Sequence, residues 1–205
     1  MVQPLTYLKE SPSQTAGPYV HIGCTPQASG ITGVYPNDLG ATMITGPVSG
    51  QQITVSGQVI DGMGAPLRDV LLEIWQADAE GLFNTPLETR GQADPNFTGW
   101  GRCASDQASG DYTFKTVKPG PVPWRDGHSQ APHITVWIVA RGINLGLQTR
   151  CYFEDEEEAN NQDPVLQRIE HQLRRKTLIA KKTGDGRYRF DIRLQGEGET
   201  VFFDV

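Results

Sequence analysis

The sequence predicts an all-β fold, a two-sheet β-sandwich with a long irregular N-terminal arm and one short helix near residues 164–173. Three observations point there. Twenty-three glycines and fourteen prolines punctuate 205 residues. The segments between them are mostly short and alternate apolar with polar residues at a period of two. Only 164–173 carries apolar residues at helical spacing. A chain of this length buries roughly 70 % of its unfolded surface, which is enough for one core without covalent staples.

Residues 1–50 form the arm. SPSQTAGPY (11–19) and TPQASGITGVYPNDLG (25–40) are rich in turn formers, and a segment this long is stable only when packed on its own domain or on a neighbour. The strand-bearing domain is expected over 51–205. ITVSGQVI (53–60) alternates around Ile53, Val55 and Val59. MGAP (63–66) turns the chain into VLLEIWQ (70–76). GDYTFKTV (110–117) puts Tyr112, Phe114 and Thr116 on one side. HITVWIVA (133–140) is apolar on both faces after its first residues, as a central strand is. RYRFDIRL (187–194) sends Tyr188, Phe190, Ile192 and Leu194 inward and its charged residues to water. Between these last two, EDEEEANNQDP reads as a solvated acidic loop, and PVLQRIEHQL (164–173) as a helix with Asp163 as N-cap.

Composition narrows the function. A net charge of −6 disfavours nucleic acid or an anionic membrane as partner, because both are held by basic fields. The basic cluster Arg174, Arg175, Lys176, Lys181 and Lys182 reads as a solvated face. Cys24, Cys103 and Cys151 are widely spaced, the pattern of free thiols in a reducing compartment. The first residues show no charged start followed by an apolar run, and no stretch approaches 18 apolar residues. A cytoplasmic chain is expected. Nucleotide-binding glycine loops and the G-x-S-x-G elbow are absent.

The segment GPVPWRDGHSQAPHITVW (120–137) looks like a metal site with its donors taken out. His133 opens a strand, and alternate residues of a strand share a face. A second imidazole two residues on could have shared an ion, but Thr135 stands there. The four histidines, His21, His128, His133 and His171, are scattered, whereas zinc or non-haem iron needs three or four protein donors. On the residues alone, three readings stay open: chemistry elsewhere in the chain, completion of another chain's site, or a sandwich whose histidine is a structural hydrogen-bonding residue.

Six stretches then carry a resemblance: SQTAGPYVHIG (13–23), LEIWQADAEG (72–81), DPNFTGWGR (94–102), TVKPGPVPW (116–124), APHITVWIVARG (131–142) and RFDIRLQGEGETVFFD (189–204). In this order and at these intervals the chain resembles the intradiol ring-cleaving dioxygenases, and among them the α type of those built from two related chains, α and β. The resemblance implies a β-sandwich and a ferric ion, Fe(3+), held by two Tyr and two His of the β chain, none being bound by the α chain. It implies a catechol carboxylate, 3,4-dihydroxybenzoate, as the substrate opened with dioxygen.

On the positions that match the family's ligand motifs, this sequence has Thr89, Val122, His133 and Thr135, and Gln130 where the catalytic chain has an arginine. Three of the four donors are gone, so no metal ligand set and no catalytic residue is expected in this chain. The resemblance carries Thr15, Gly17, Pro18 and Arg141 to the wall and mouth of the β chain's substrate pocket. Tyr19 and His21 are expected to serve packing or intersubunit hydrogen bonds. The expected product is a subunit that completes a partner's pocket in a hetero-oligomer of αβ pairs. Its alternatives are a purely structural scaffold subunit and an independently active dioxygenase with unconventional ligands.

Overall fold

Alternation becomes architecture at Gln52. In the computed structural model, which describes residues 14–144 and 146–204, eleven strands follow one another. They are β1 (Gln52–Ile60), β2 (Leu71–Trp75), β3 (Trp100–Ala104), β4 (Asp111–Val117), β5 (Val122–Pro123), β6 (Ser129–Gln130), β7 (His133–Val139), β8 (Leu147–Phe153), β9 (Ile179–Gly184), β10 (Arg187–Arg189) and β11 (Ile192–Arg193). Of residues 1–19, on which the expectation of no leader rests, 1–13 lie outside those described.

The strands make two faces of a sandwich. One is the antiparallel run β3-β2-β7-β8, with β7 central as its apolar sequence predicts. The other gathers β4, β1, β10, β11 and β9, with β1 antiparallel to β4 and parallel to β10 and β11. A short parallel contact, Tyr152 with Ile179 and Phe153 with Ala180, joins the two faces into one mixed, nearly closed sheet. Between them lies a single large core: Val55, Val59, Phe114 and Tyr188 from one side meet Leu72, Ile74, Val136 and Ile138 from the other. Burying a side chain of this size contributes about 1.5–3 kcal/mol.

The segment 187–194 keeps its predicted alternation but is two strands. Phe190 N–H still bonds Ser56 O, while the Tyr112 hydroxyl takes Phe190 O and the Asp191 carboxylate takes the Gln58 N–H. Side chains thus replace ladder bonds at this point. Gly57 is required there, because a Cβ on it would lie 1.8 Å from Phe190 O.

Two expectations need correction. The helix predicted at 164–173 is a 3₁₀ turn, Leu166–Arg168, followed by an extended Ile169 and then α3 (Gln172–Arg175). The N-cap of that turn is Val165, not Asp163, but the Asp163 carboxylate accepts the Val165 and Leu166 N–H groups and also the Ala131 N–H of the neighbouring segment. The helix stops where Ile169 turns extended, and the Arg175 guanidinium donates to Ile169 O and Gln167 O, carbonyls left without helical partners there. Val165 and Leu166 are buried, and Leu166 joins a second core with Ala131, Tyr152, Leu178 and Val201.

The acidic run is not all loop either: Glu157 and Glu158 open α2 (Glu157–Gln162). Glu154 pairs with Lys181, and Asp155 with Lys182 and Lys118. The arm also contains one helix, α1 (Pro18–Cys24), with Pro18 in its first turn after Gly17. Its later part packs on the domain, where Met43 is buried in the core and Ile44 bridges to Phe97. Among the described residues, no helix is long and apolar enough to cross a membrane.

Candidate functional site

Strand β7 has two ends, and each carries one of the places the sequence singles out. At its start, His133 is buried, with Nδ1 2.8 Å from Ala131 O. A carbonyl only accepts, so Nδ1 carries a proton. Its ring lies 5.5 Å from that of Tyr152. Burial first, and the nearby Arg150 cation second, push its pKa down to about 4, which leaves the other ring nitrogen bare at neutral pH.

Around it, Val122 is buried and pairs with Gln130 across the two-residue ladder β5–β6. Thr135 stands opposite Arg150 in the β7–β8 register. The Arg150 guanidinium donates to Gln130 Oε1 at 2.8 Å and to the Tyr152 hydroxyl at 3.3 Å. The Tyr152 hydroxyl is in turn 3.3 Å from Asp163 Oδ1, and burial holds that phenol well above its ordinary pKa, in its neutral form. Thr89 is exposed on the 76–96 loop, beside the Glu88–Arg90 ion pair. Of Thr89, Val122, His133 and Thr135 only Thr135 lines the cavity here, whose volume is about 610 Å³. Among the described residues, no three His, Cys, Asp or Glu side chains gather in a way that could hold a metal ion.

At the other end, the chain leaves β7 and turns at Arg141 and Gly142. Thr15 fastens the arm to that turn: its hydroxyl donates to Ala140 O at 3.2 Å and accepts the Gly142 N–H at 2.8 Å. The backbone adds a bridge from Thr15 to Asn144. Gly17, Pro18, His21, Arg68, Asp69 and Arg141 then share one cavity of about 280 Å³. Asp69 organises it. Its carboxylate receives Arg141 Nε at 3.1 Å, and its backbone carbonyl lies 2.9 Å from His21 Nε2. Arg141 is 75 % exposed at the side chain, so its terminal guanidinium nitrogens remain available to a carboxylate.

Thr15, Gly17, Pro18 and Arg141 therefore meet in space, although 126 positions separate the first from the last. Sequence reasoning passed over Arg150, Asp69 and Arg68. Arg150 had a usable signal, since it belongs to an alternating segment, LQTRCYF, but placing it opposite Thr135 needs the length of the β7–β8 turn.

A family model described as Dioxygenase matches residues 32–196. The chain is 47% identical to a protocatechuate 3,4-dioxygenase alpha chain from Pseudomonas putida, over 98% of this chain and 99% of that one. It is 36% identical to a protocatechuate 3,4-dioxygenase beta chain from Burkholderia cepacia, over 74% of this chain and 67% of that one. Among solved structures, it resembles the dioxygenase domain of a dioxygenase carbohydrate-binding protein fusion from Streptomyces sp. SirexAA-E. That likeness has 26% identity and a TM-score of 0.53, and it covers 93% of this chain and 98% of that one. With a family model over most of its length and a relative matched from end to end, the chain belongs to the intradiol ring-cleaving dioxygenase family.

Proposed function

We propose that this chain is the non-iron-binding subunit of an αβ protocatechuate 3,4-dioxygenase. The enzyme would open 3,4-dihydroxybenzoate with dioxygen to 3-carboxy-cis,cis-muconate. In this reading the iron belongs to the partner β chain, and this chain supplies Thr15, Gly17, Pro18 and Arg141 to the partner's pocket. Residues 1–50 act as an arm for intersubunit contacts, and 51–205 form the sandwich.

The observation that carries the proposal is the separation of the two ends of β7. The six steps from His133 to Val139 span roughly 20 Å at about 3.3 Å per residue. A cationic mouth at Arg141 is too far away to serve a reaction at the degenerate pocket of its own chain. It is exposed and fixed by Asp69, as a group offered to another molecule would be.

The donor chemistry supports the same reading. Ferric iron favours anionic oxygen donors beside imidazole. The cavity here presents a neutral hydroxyl at Thr135 and a fixed cation at Arg150, while the one imidazole, His133, and the alkyl group of Val122 are buried outside its lining. Those residues do not fit the ion, and no chemical step is routed through them.

What this chain contributes is binding. Arg141 would attract the substrate carboxylate and pair with it. The Gly17-Pro18 backbone would form a wall that approaches closely with little side chain in the way. Substituting Arg141→Gln and, separately, Pro18→Ala in the assembled enzyme tests the role. Arg141→Gln should raise KM for 3,4-dihydroxybenzoate by about tenfold or more, the value of one charge-assisted contact, while leaving the melting temperature unchanged. Unchanged KM and kcat in both variants would leave only a scaffold.

A further inference from the structure

We propose that the cavity lined by Trp124 and Phe203 is a binding site of this chain's own for a small aromatic carboxylate. Its walls hold three arginines, Arg150, Arg168 and Arg174, against two carboxylates, Glu170 and Asp204, in a chain whose net charge is −6. Arg174 is drawn toward Glu199 at 3.5 Å. The other two make no ion pair with a carboxylate among the described residues.

Each of those two lies over an aromatic face instead. The Arg168 guanidinium is 5.4 Å from the centroid of Trp124, which also carries Arg125 at 5.6 Å, and the Arg150 guanidinium is 5.9 Å from that of Phe203. A guanidinium lying over a ring is attracted by its π-face without using its N–H donors, and that fork of donors suits a carboxylate. On Arg150 one terminal nitrogen is engaged by Gln130 and Tyr152, which leaves Nε and the other terminal nitrogen. Arg150 is held in place by Gln130 and Tyr152, so little freedom remains to be lost on binding.

The rest of the lining sets the ligand's other half. Val165, Ile169 and Val201 add apolar wall beside the two rings. Inorganic anions would use the arginines and waste this surface, and a neutral aromatic would do the reverse. A flat ring bearing one carboxylate uses both. The cavity is lined by Thr135 and lies at the opposite end of β7 from Arg141. Occupancy there needs neither iron nor turnover, so its failure is distinguishable from failure of the proposed subunit role.

The test is calorimetric titration of the full-length chain, with any chain that co-purifies, using benzoate as probe and benzamide and inorganic phosphate as controls. Wild type should bind one more equivalent of benzoate per copy of this chain than Arg168→Gln does at the same concentrations. That variant should weaken this site by about tenfold or more. Arg168 is exposed, so the variant should melt as wild type does. Arg150→Gln, checked for folding by its melting curve, should weaken the same site. The proposal is overturned if the variants and wild type bind benzoate identically. It is equally overturned if benzamide or phosphate occupies the site as tightly as benzoate.

Discussion

Replacing His133 by Gln should remove a specific pH dependence of folding. The neutral imidazole is satisfied by Ala131 O, and a second proton would place a buried charge beside Arg150. The folded chain therefore resists that proton until pH about 4, whereas an ordinary imidazole takes it near 6.5. As pH falls through 6.5 the unfolded chain gains the proton and the folded chain does not, so unfolding becomes more favourable. The contribution is complete above pH 6.5 and is lost as pH drops toward 4.

The whole interval is worth about 3 kcal/mol, and about 2 kcal/mol of it is lost between pH 6.5 and 5. Most of that loss precedes the titration of Glu88 and Asp155, whose carboxyls are each held at about 2: Glu88 by its hydrogen bonds from Arg90, and Asp155, against the cost of its burial, by those from Lys182, Tyr188 and Lys118. Urea unfolding at pH 7 and pH 5 reads it. Wild type should lose about 2 kcal/mol more than His133→Gln over that range, although the variant is the less stable protein at pH 7. Equal losses in the two proteins would refute the buried neutral imidazole.

Asp163 accepts three backbone N–H groups while fully buried, so Asp163→Ala should cost about 3–5 kcal/mol in urea unfolding; a loss below 1 kcal/mol contradicts that role. Gly57→Ala would drive a methyl group into Phe190 O, and soluble yield should collapse; a variant that melts like wild type shows the close approach to be wrong. Thr15→Val removes the hydroxyl that fastens the arm to the Arg141 turn. Hydrogen exchange at the Gly142 amide should then accelerate by about tenfold with little change in global stability, and unchanged protection there would show that the backbone bridge alone holds the arm.

Strands were legible where one face meets water. Ile53, Val55 and Val59 in β1 and Tyr112 and Phe114 in β4 are buried members of alternations that break only at the strand ends, where Ile60 and Val117 are buried as well. β7 was legible as central because it is apolar throughout and lies between β2 and β8. Helices were harder because none among the described residues exceeds seven residues, too short for periodicity to rise above turn chemistry. For α1 the signal was Pro18, which fits a first helical position as well as it fits a turn. For α2 it was the pair Glu157 and Glu158, favourable in a first turn but lost within an acidic run.

At the site, the residue types at the positions the resemblance carries, Thr89, Val122, His133 and Thr135, could be read along the chain. Arg150 could not, because its bearing on Gln130 and Thr135 is a cross-strand relation. Nor could Asp69, which links His21 to Arg141 through its backbone carbonyl and its carboxylate.

Metal analysis of the assembled enzyme and of its separated chains tests the central claim most directly. The account expects about one iron per partner chain, far less than one per copy of this chain, and ring-opening activity only when the two are combined. One tightly held iron per copy of this chain, coordinated by its own residues and active without a partner, would contradict it.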